Sequence, residues 1–155
     1  MIIRRFKNED SVELADVIAK TLRTTNIKDY SVDYIENDIS FLTAEKLIER
    51  SNWTNLYVVC EDNSIIGCGA IGSYWGKEDE SSLFTIFVLP EYQGKGIGRK
   101  IIETLEQDNY FLRAKRIEIP SSITAVEFYR KMGYDYKNGI AELDDEQLYR
   151  LEKFR

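Results

Sequence analysis

The stretch Val88-Leu-Pro-Glu-Tyr-Gln-Gly-Lys-Gly-Ile-Gly-Arg99 joins two segments of different periodicity. Before it, Leu83–Leu89 is apolar on both faces apart from Thr85, the pattern of a strand at the centre of a sheet. After it, Ile97, Ile101, Ile102 and Leu105 recur at helical spacing. A strand therefore runs through Pro90 into Gly94, Gly96 and Gly98, and directly into a helix. The first amides of a helix lack intrahelical partners, and the macrodipole places partial positive charge there. Glycines leave those N–H groups open to a phosphate, while Lys95 and Arg99 add charge beside them. The turn reads as a pyrophosphate cradle. Two familiar phosphate motifs do not fit it. A P-loop needs G-x-x-x-x-G-K-[ST], and no Ser or Thr follows Gly96 in that register. A G-x-G-x-x-G fingerprint begun at Gly94 ends on Arg99, and it belongs after the first strand of a βαβ unit, not after a fourth strand. What remains is Q-x-x-G-x-G, on Gln93, Gly96 and Gly98.

Upstream, Met1–Phe6 alternates as a first strand, and Asp10 or Ser11 can cap a helix that carries Val12, Ala15, Ile18, Ala19 and Leu22. Thr24–Asp29 breaks that period. Tyr34, Ile35 and Ile39, then Leu47 and Ile48, predict one or two short helices, the second capped by Thr43. Leu56–Cys60 and Ile65–Tyr74 are β-rich runs joined by the turn Glu61-Asp-Asn-Ser64. In that hairpin Cys60 faces Ile65 and Cys68 faces Tyr57, so no disulfide is expected. Gly67, Gly69 and Gly72 mark close packing or a bulge. Downstream, Arg116–Ile119 is a short strand ended by Pro120, and Thr124–Met132 a helix stopped by Gly133. Tyr134–Tyr136 and Gln147–Phe154 are the last strands, joined by an acidic loop. The order predicts a mixed α/β (α+β) sheet in a single domain, residues 1–155.

Composition narrows the partners. With 43% hydrophobic and 31% charged residues, the chain suits a soluble domain that buries a core. Its first residues become charged too soon for a signal peptide, and no apolar run approaches the roughly 18–20 residues of a membrane span. No membrane partner is expected. A net charge of −6 argues against general nucleic-acid binding. There is no histidine, so the usual general base near neutral pH is missing. With only two cysteines besides, no metal site is expected, and a reducing cytoplasm is the expected compartment.

The segment from Ile86 to Lys100 is similar nearly throughout to the acetyl-CoA motif of the GNAT family of N-acetyltransferases. Further on, Ser122-Ile-Thr-Ala125-Val-Glu-Phe128-Tyr129-Arg-Lys-Met-Gly133-Tyr134 resembles that family's N-x-x-A-x-x-[LF]-Y-x-x-x-G-[FY] segment, with Ser122 where asparagine is usual. The resemblance implies a mixed, mostly antiparallel sheet whose fourth and fifth strands splay, flanked by helices, with the thioester entering the gap. It implies that the backbone of Phe87, Val88 and Leu89 pairs with the pantetheine arm. Amides from Gln93 through Gly94, Lys95, Gly96, Ile97 and Gly98 to Arg99 would wrap the pyrophosphate, with Ser122 contributing a further contact. Tyr129 falls on the tyrosine that points at the thioester sulfur, and a phenol can donate the proton that a leaving thiolate needs.

What the resemblance implies, then, is direct transfer from acetyl-CoA to an amine acceptor, by a monomer or a homodimer. The base that must deprotonate the amine stays open. Glu118 is conspicuous, but family members that acetylate ribosomal protein N-termini carry their glutamate twelve residues before the tyrosine, which here is Ile117. One residue along a strand turns a side chain to the other face. Glu80, Asp79, Asp29, Tyr30 and a water chain are the other possibilities. Trp53, Tyr74 and Trp75 are candidates to line an acceptor pocket, and Asp29, Glu36, Asp38 and Asp79 to attract a cation. The alternative function is a non-catalytic module that senses acyl-CoA.

Overall fold

In the computed structural model, which describes residues 1–155, strand β1 (Ile2–Arg5) leads into helices α1 (Ser11–Thr24), α2 (Val32–Ser40) and α3 (Ala44–Ser51). Ser31 caps α2 by accepting from the Tyr34 amide, and Thr43 caps α3 by accepting from Lys46. The next elements are strands β2 (Thr54–Glu61), β3 (Ser64–Ser73) and β4 (Glu80–Val88), then helices α4 (Ile97–Leu105) and α5 (Asn109–Leu112). Strand β5 (Arg116–Ser121), helix α6 (Val126–Lys131) and strands β6 (Asp135–Tyr136) and β7 (Tyr149–Phe154) complete the chain. The strands form one sheet in the order β1-β2-β3-β4-β5-β7-β6, antiparallel throughout except for β4 and β5. Apolar clusters pack on both faces. One joins α1, α2 and α3 to Leu56, Val58, Cys68 and Ala70, and the other joins α4 and α6 to Leu83, Ile117, Ile119 and Leu151.

The central strand stands where the apolar run places it, fourth of seven. Its pairing with β5 is short: only Glu80, Ser81 and Ser82 meet Arg116, Ile117 and Glu118. Beyond that point the two strands separate. The β2–β3 turn forms as read, with Asp62 and Asn63 both at positive φ, the geometry of a tight hairpin turn. The β3 glycines are needed for contact. A Cβ at Gly67 would meet the Phe87 carbonyl oxygen at 2.8 Å, and one at Gly69 would meet Ile101 at 2.5 Å. Helix α4 thus lies directly against the sheet.

Val12 is exposed; the buried face of α1 is Leu14, Val17, Ile18, Thr21 and Leu22. Cys68 faces Val58, not Tyr57, because a bulge at Ile66 shifts the register beyond the Cys60–Ile65 pair. Both thiols are free. Strand β5 continues through Pro120 to Ser121, pairing Pro120 with Arg150. Proline is tolerated there because β5 has already lost β4, so no ladder on that side requires its amide. Helix α5 was not anticipated, and α6 is shorter than its predicted span.

Candidate active site

The separation of β4 from β5 opens a cavity of about 550 Å³, within the range of small-molecule sites. Its wall includes Phe87 and Val88 of β4, Gln93, Gly94, Gly96, Ile97, Gly98 and Arg99 of the turn, and Ser122 and Tyr129 beyond β5. Leu89 and Lys95, also singled out from the sequence, stand outside that wall; Lys95 instead lies over the Tyr92 ring. The Leu89 amide donates to the Ile66 carbonyl at 2.8 Å. Alternate residues of an antiparallel ladder turn their peptides to the same neighbour, so Phe87 and Leu89 face β3 while Val88 faces the gap.

The turn after β4 is built from donors. Gly94 and Gly96 have φ of +74° and +81°, and nothing lies within 4 Å of a Cβ at either position. They are required for their left-handed backbone rather than for space. Gly98 is different: a Cβ there would meet the Phe128 ring at 3.0 Å, so this glycine lets α4 approach α6. The first backbone bond of α4 runs from the Lys100 amide to the Gly96 carbonyl, leaving the amides of Gly94 through Arg99 without an acceptor in the protein. Six consecutive amides are therefore free, and five of their residues, Gly94, Gly96, Ile97, Gly98 and Arg99, line the cavity.

Across from them, α6 presents Tyr129. Its side chain is buried, its hydroxyl has no hydrogen-bond partner in the protein, and it lines the cavity. Burial, and secondarily the nearby Cys68, pushes this phenol above its ordinary value, so it keeps its proton at neutral pH. The Ser122 hydroxyl accepts from the Ala125 amide at 3.1 Å and so steadies the turn into α6.

The geometry also explains Thr85, the single polar residue in the apolar run. It has φ of +54°, rare for a β-branched residue, and sits in a bulge where Thr85 and Ile86 oppose Gly69 alone. The Arg50 guanidinium holds its hydroxyl at 3.1 Å, and the Cys68 thiol donates to its carbonyl at 3.1 Å. Burial raises Cys68 to about 12, so it remains a thiol. Arg50, on α3, was not foreseen; a half-buried cation at the end of a helix has no sequence signature.

The family model of the acetyltransferase (GNAT) domain matches residues 52–136, more than half of the chain. The chain belongs to the GNAT family. Membership makes it an acetyltransferase, with acetyl-CoA as its co-substrate. No curated protein matches it. Among solved structures, the PaiA N-acetyltransferase of Thermoplasma acidophilum in complex with coenzyme A is 23% identical, with a TM-score of 0.83 over 99% of this chain and 98% of that one. A GCN5-related N-acetyltransferase from Rhodopseudomonas palustris is 19% identical, with a TM-score of 0.80 over 99% and 95%. An acetyltransferase from Streptococcus agalactiae is 18% identical, with a TM-score of 0.73 over 99% and 98%. These likenesses establish the GNAT fold. No helix is long and apolar enough to cross a membrane, and no cluster of three His, Cys, Asp or Glu side chains is arranged to hold a metal ion.

None of the four carboxylates weighed as base lines the GNAT cavity. Glu118 is almost fully buried among Arg116, Lys137 at 2.9 Å and Arg150 at 3.7 Å. Glu80 pairs with Arg116 and Lys77, which outweigh the opposing effect of burial and hold it below the usual carboxylate range. Asp79 is exposed, and Asp29 accepts from Thr124 at the cavity rim. Tyr30 is engaged on both sides, donating to the Gln147 carbonyl and accepting from the Ile123 amide. The aromatic candidates for an acceptor pocket also lie elsewhere. Trp53 packs edge-on against Phe84, Tyr74 lies among Lys77, Arg116 and Lys137, and Trp75 is exposed. Glu36 pairs with Arg23. Asp38 does line the cavity.

Proposed function

We propose that residues 1–155 form one N-acetyltransferase unit that moves the acetyl group of acetyl-CoA directly to a primary amine of a small molecule or peptide. The observation that carries this reading is that the unpartnered Tyr129 hydroxyl shares a cavity with five residues of the turn whose amides are unpartnered, and with Val88, whose peptide faces the gap. A pyrophosphate suits the amides of Gly94–Arg99, and an extended pantetheine arm suits a strand edge that has lost its neighbour. Phe87, Gln93 and Ser122 shape the walls, and Leu89 and Lys95 act from outside them. Once its ammonium has lost a proton to solvent, the neutral amine nitrogen attacks the thioester carbonyl and the C–S bond breaks. Tyr129 gives its proton to the departing sulfur, and the second proton shed by the nitrogen restores the phenol through solvent. Cys68, held as a thiol and donating to Thr85, is no nucleophile, which favours direct transfer.

The test is to incubate the protein with acetyl-CoA and a panel of polyamines, aminoglycosides, amino acids and peptides, following CoA release. Turnover of an amine with stoichiometric amide formation is expected. Tight acetyl-CoA binding with no turnover on any amine would instead identify a sensor. The reading also holds that the protein is cytoplasmic and acts as a monomer or homodimer.

A further inference from the structure

Asp38, in the last turn of α2, is the only carboxylate in the cavity wall. It is half-buried, and its side chain receives neither a hydrogen bond nor an ion pair from the protein. Other screened carboxylates here are compensated: Asp10 by Arg4 and the Lys7 amide, Glu118 by three cations, Asp108 by Asn55, Tyr57 and the Tyr110 amide. An unpaired carboxylate withdrawn from water is unfavourable until a cation meets it. Burial, with the nearby Glu146 adding to it, raises the Asp38 pKa.

The surroundings give that cation a shape. Tyr30 and Tyr34 stack with ring centroids 4.3 Å apart, and their hydroxyls donate to the carbonyls of Gln147 at 2.8 Å and Glu146 at 2.6 Å. This clamp fixes the β6–β7 loop against α2, so that Leu148 enters the cavity wall. Leu22 and Phe84 line the same cavity. The cavity therefore has free amides at the Gly94–Arg99 turn, a single carboxylate on α2, and apolar lining from Leu22, Phe84 and Leu148.

We propose that Asp38 binds the ammonium group of the acceptor, and that it selects amines carrying no carboxylate beside the nitrogen. The proposal rests on the amine-acetylation reading above and assigns the acceptor's chemical class: a cationic alkyl- or arylalkylamine with an apolar body. An amino acid brings its own carboxylate toward Asp38, and like charges brought together in a partly desolvated cavity disfavour binding.

Matched pairs test it: isoamylamine against leucine and phenethylamine against phenylalanine, together with the fastest amine of the panel. The unaltered protein should favour each amine over its amino acid by about tenfold or more in kcat/KM. In Asp38→Asn, KM for the amines should rise about tenfold with kcat within a factor of about three, and acetyl-CoA affinity by calorimetry should stay unchanged. Asp38→Glu keeps the charge and should restore most of the preference. Preference for the amino acids, an unchanged amine KM in Asp38→Asn, or an effect confined to kcat would each overturn the assignment. Turnover of no amine by the unaltered protein is a different failure: it sinks the amine reading itself, and the role of Asp38 with it.

Discussion

The side-chain amide of Gln93 donates to the Val88 carbonyl at 2.9 Å, and also to the Thr25 hydroxyl at 3.1 Å. Val88 ends the strand edge that faces the gap, and Thr25 follows the last residue of α1, so one side chain ties the donor turn to two parts of the cavity wall. Gln93→Ala removes both bonds from an exposed residue, where each contributes at most about 1 kcal/mol. Acetyl-CoA affinity is expected to fall three- to tenfold, roughly 1 kcal/mol, with little change in Tm. Calorimetric titration beside a thermal melt checks this. An unchanged affinity would mean that the glycines alone preform the turn.

Gly96 separates shape from charge. Its φ of +81° disfavours most side chains, but open space surrounds the position, and Asn and Asp tolerate the left-handed region better than other residues. Gly96→Asn should therefore retain measurable acetyl-CoA binding. Gly96→Asp places a negative charge where the pyrophosphate would lie and should bind at least about tenfold more weakly than the Asn variant. Equal affinities in the two variants would remove this turn from pyrophosphate binding.

Tyr129→Phe should separate activity from stability. Because the hydroxyl has no partner in the protein, its loss leaves no buried group unpaired, and Tm should not fall. If the phenol protonates the leaving thiolate, kcat should drop about a hundredfold, with acetyl-CoA affinity little changed. Tyr134→Phe is the contrasting control: its hydroxyl donates to Glu106 at 2.9 Å, so there stability should fall instead. A wild-type kcat in Tyr129→Phe would exclude this residue from the chemistry.

Sequence periodicity located the elements that positioned the site, but not the contacts that shaped it. The central strand, the glycine turn and the helix after it were legible because each carries a local signal: an apolar run, residues suited to φ above zero, and a period of 3.6. Thr85 was visible as an exception within the run, though nothing local disclosed that Arg50 and Cys68 would hold it in a bulge. The Cys68–Tyr57 pairing failed because one extra residue, Ile66, changes every partner beyond it. Helix α5, four residues long, is too short to show a period, although Asp108 does cap it. The separation of β4 from β5 came from the family resemblance, since a lost strand pairing is a long-range fact. Asp38 was one of several acidic residues until the fold placed it in the cavity wall.

Away from the site, Arg4 and Asp10 give the fold a defined response to acid. The Arg4 guanidinium donates to both Asp10 carboxylate oxygens, at 2.8 and 3.0 Å, and the Lys7 amide donates at 2.8 Å, joining β1 to the start of α1. The hydrogen bond from Arg4, helped by Lys7, holds Asp10 below the usual carboxylate range despite the opposing effect of burial. A lowered folded pKa means that the unfolded chain takes up this proton first as the pH falls. The contribution of Asp10 is therefore complete above the ordinary carboxylate value of about 4 and disappears as the pH drops through the lower, folded value. Asp10→Asn cannot ionise and lacks that contribution at every pH. The Tm difference between wild type and Asp10→Asn should be largest near neutrality, begin to narrow as the pH approaches the ordinary carboxylate value of about 4 and keep shrinking below it. Thermal melts across that range check it, and a difference that stays constant would show that the ionised pair contributes nothing to holding β1 against α1.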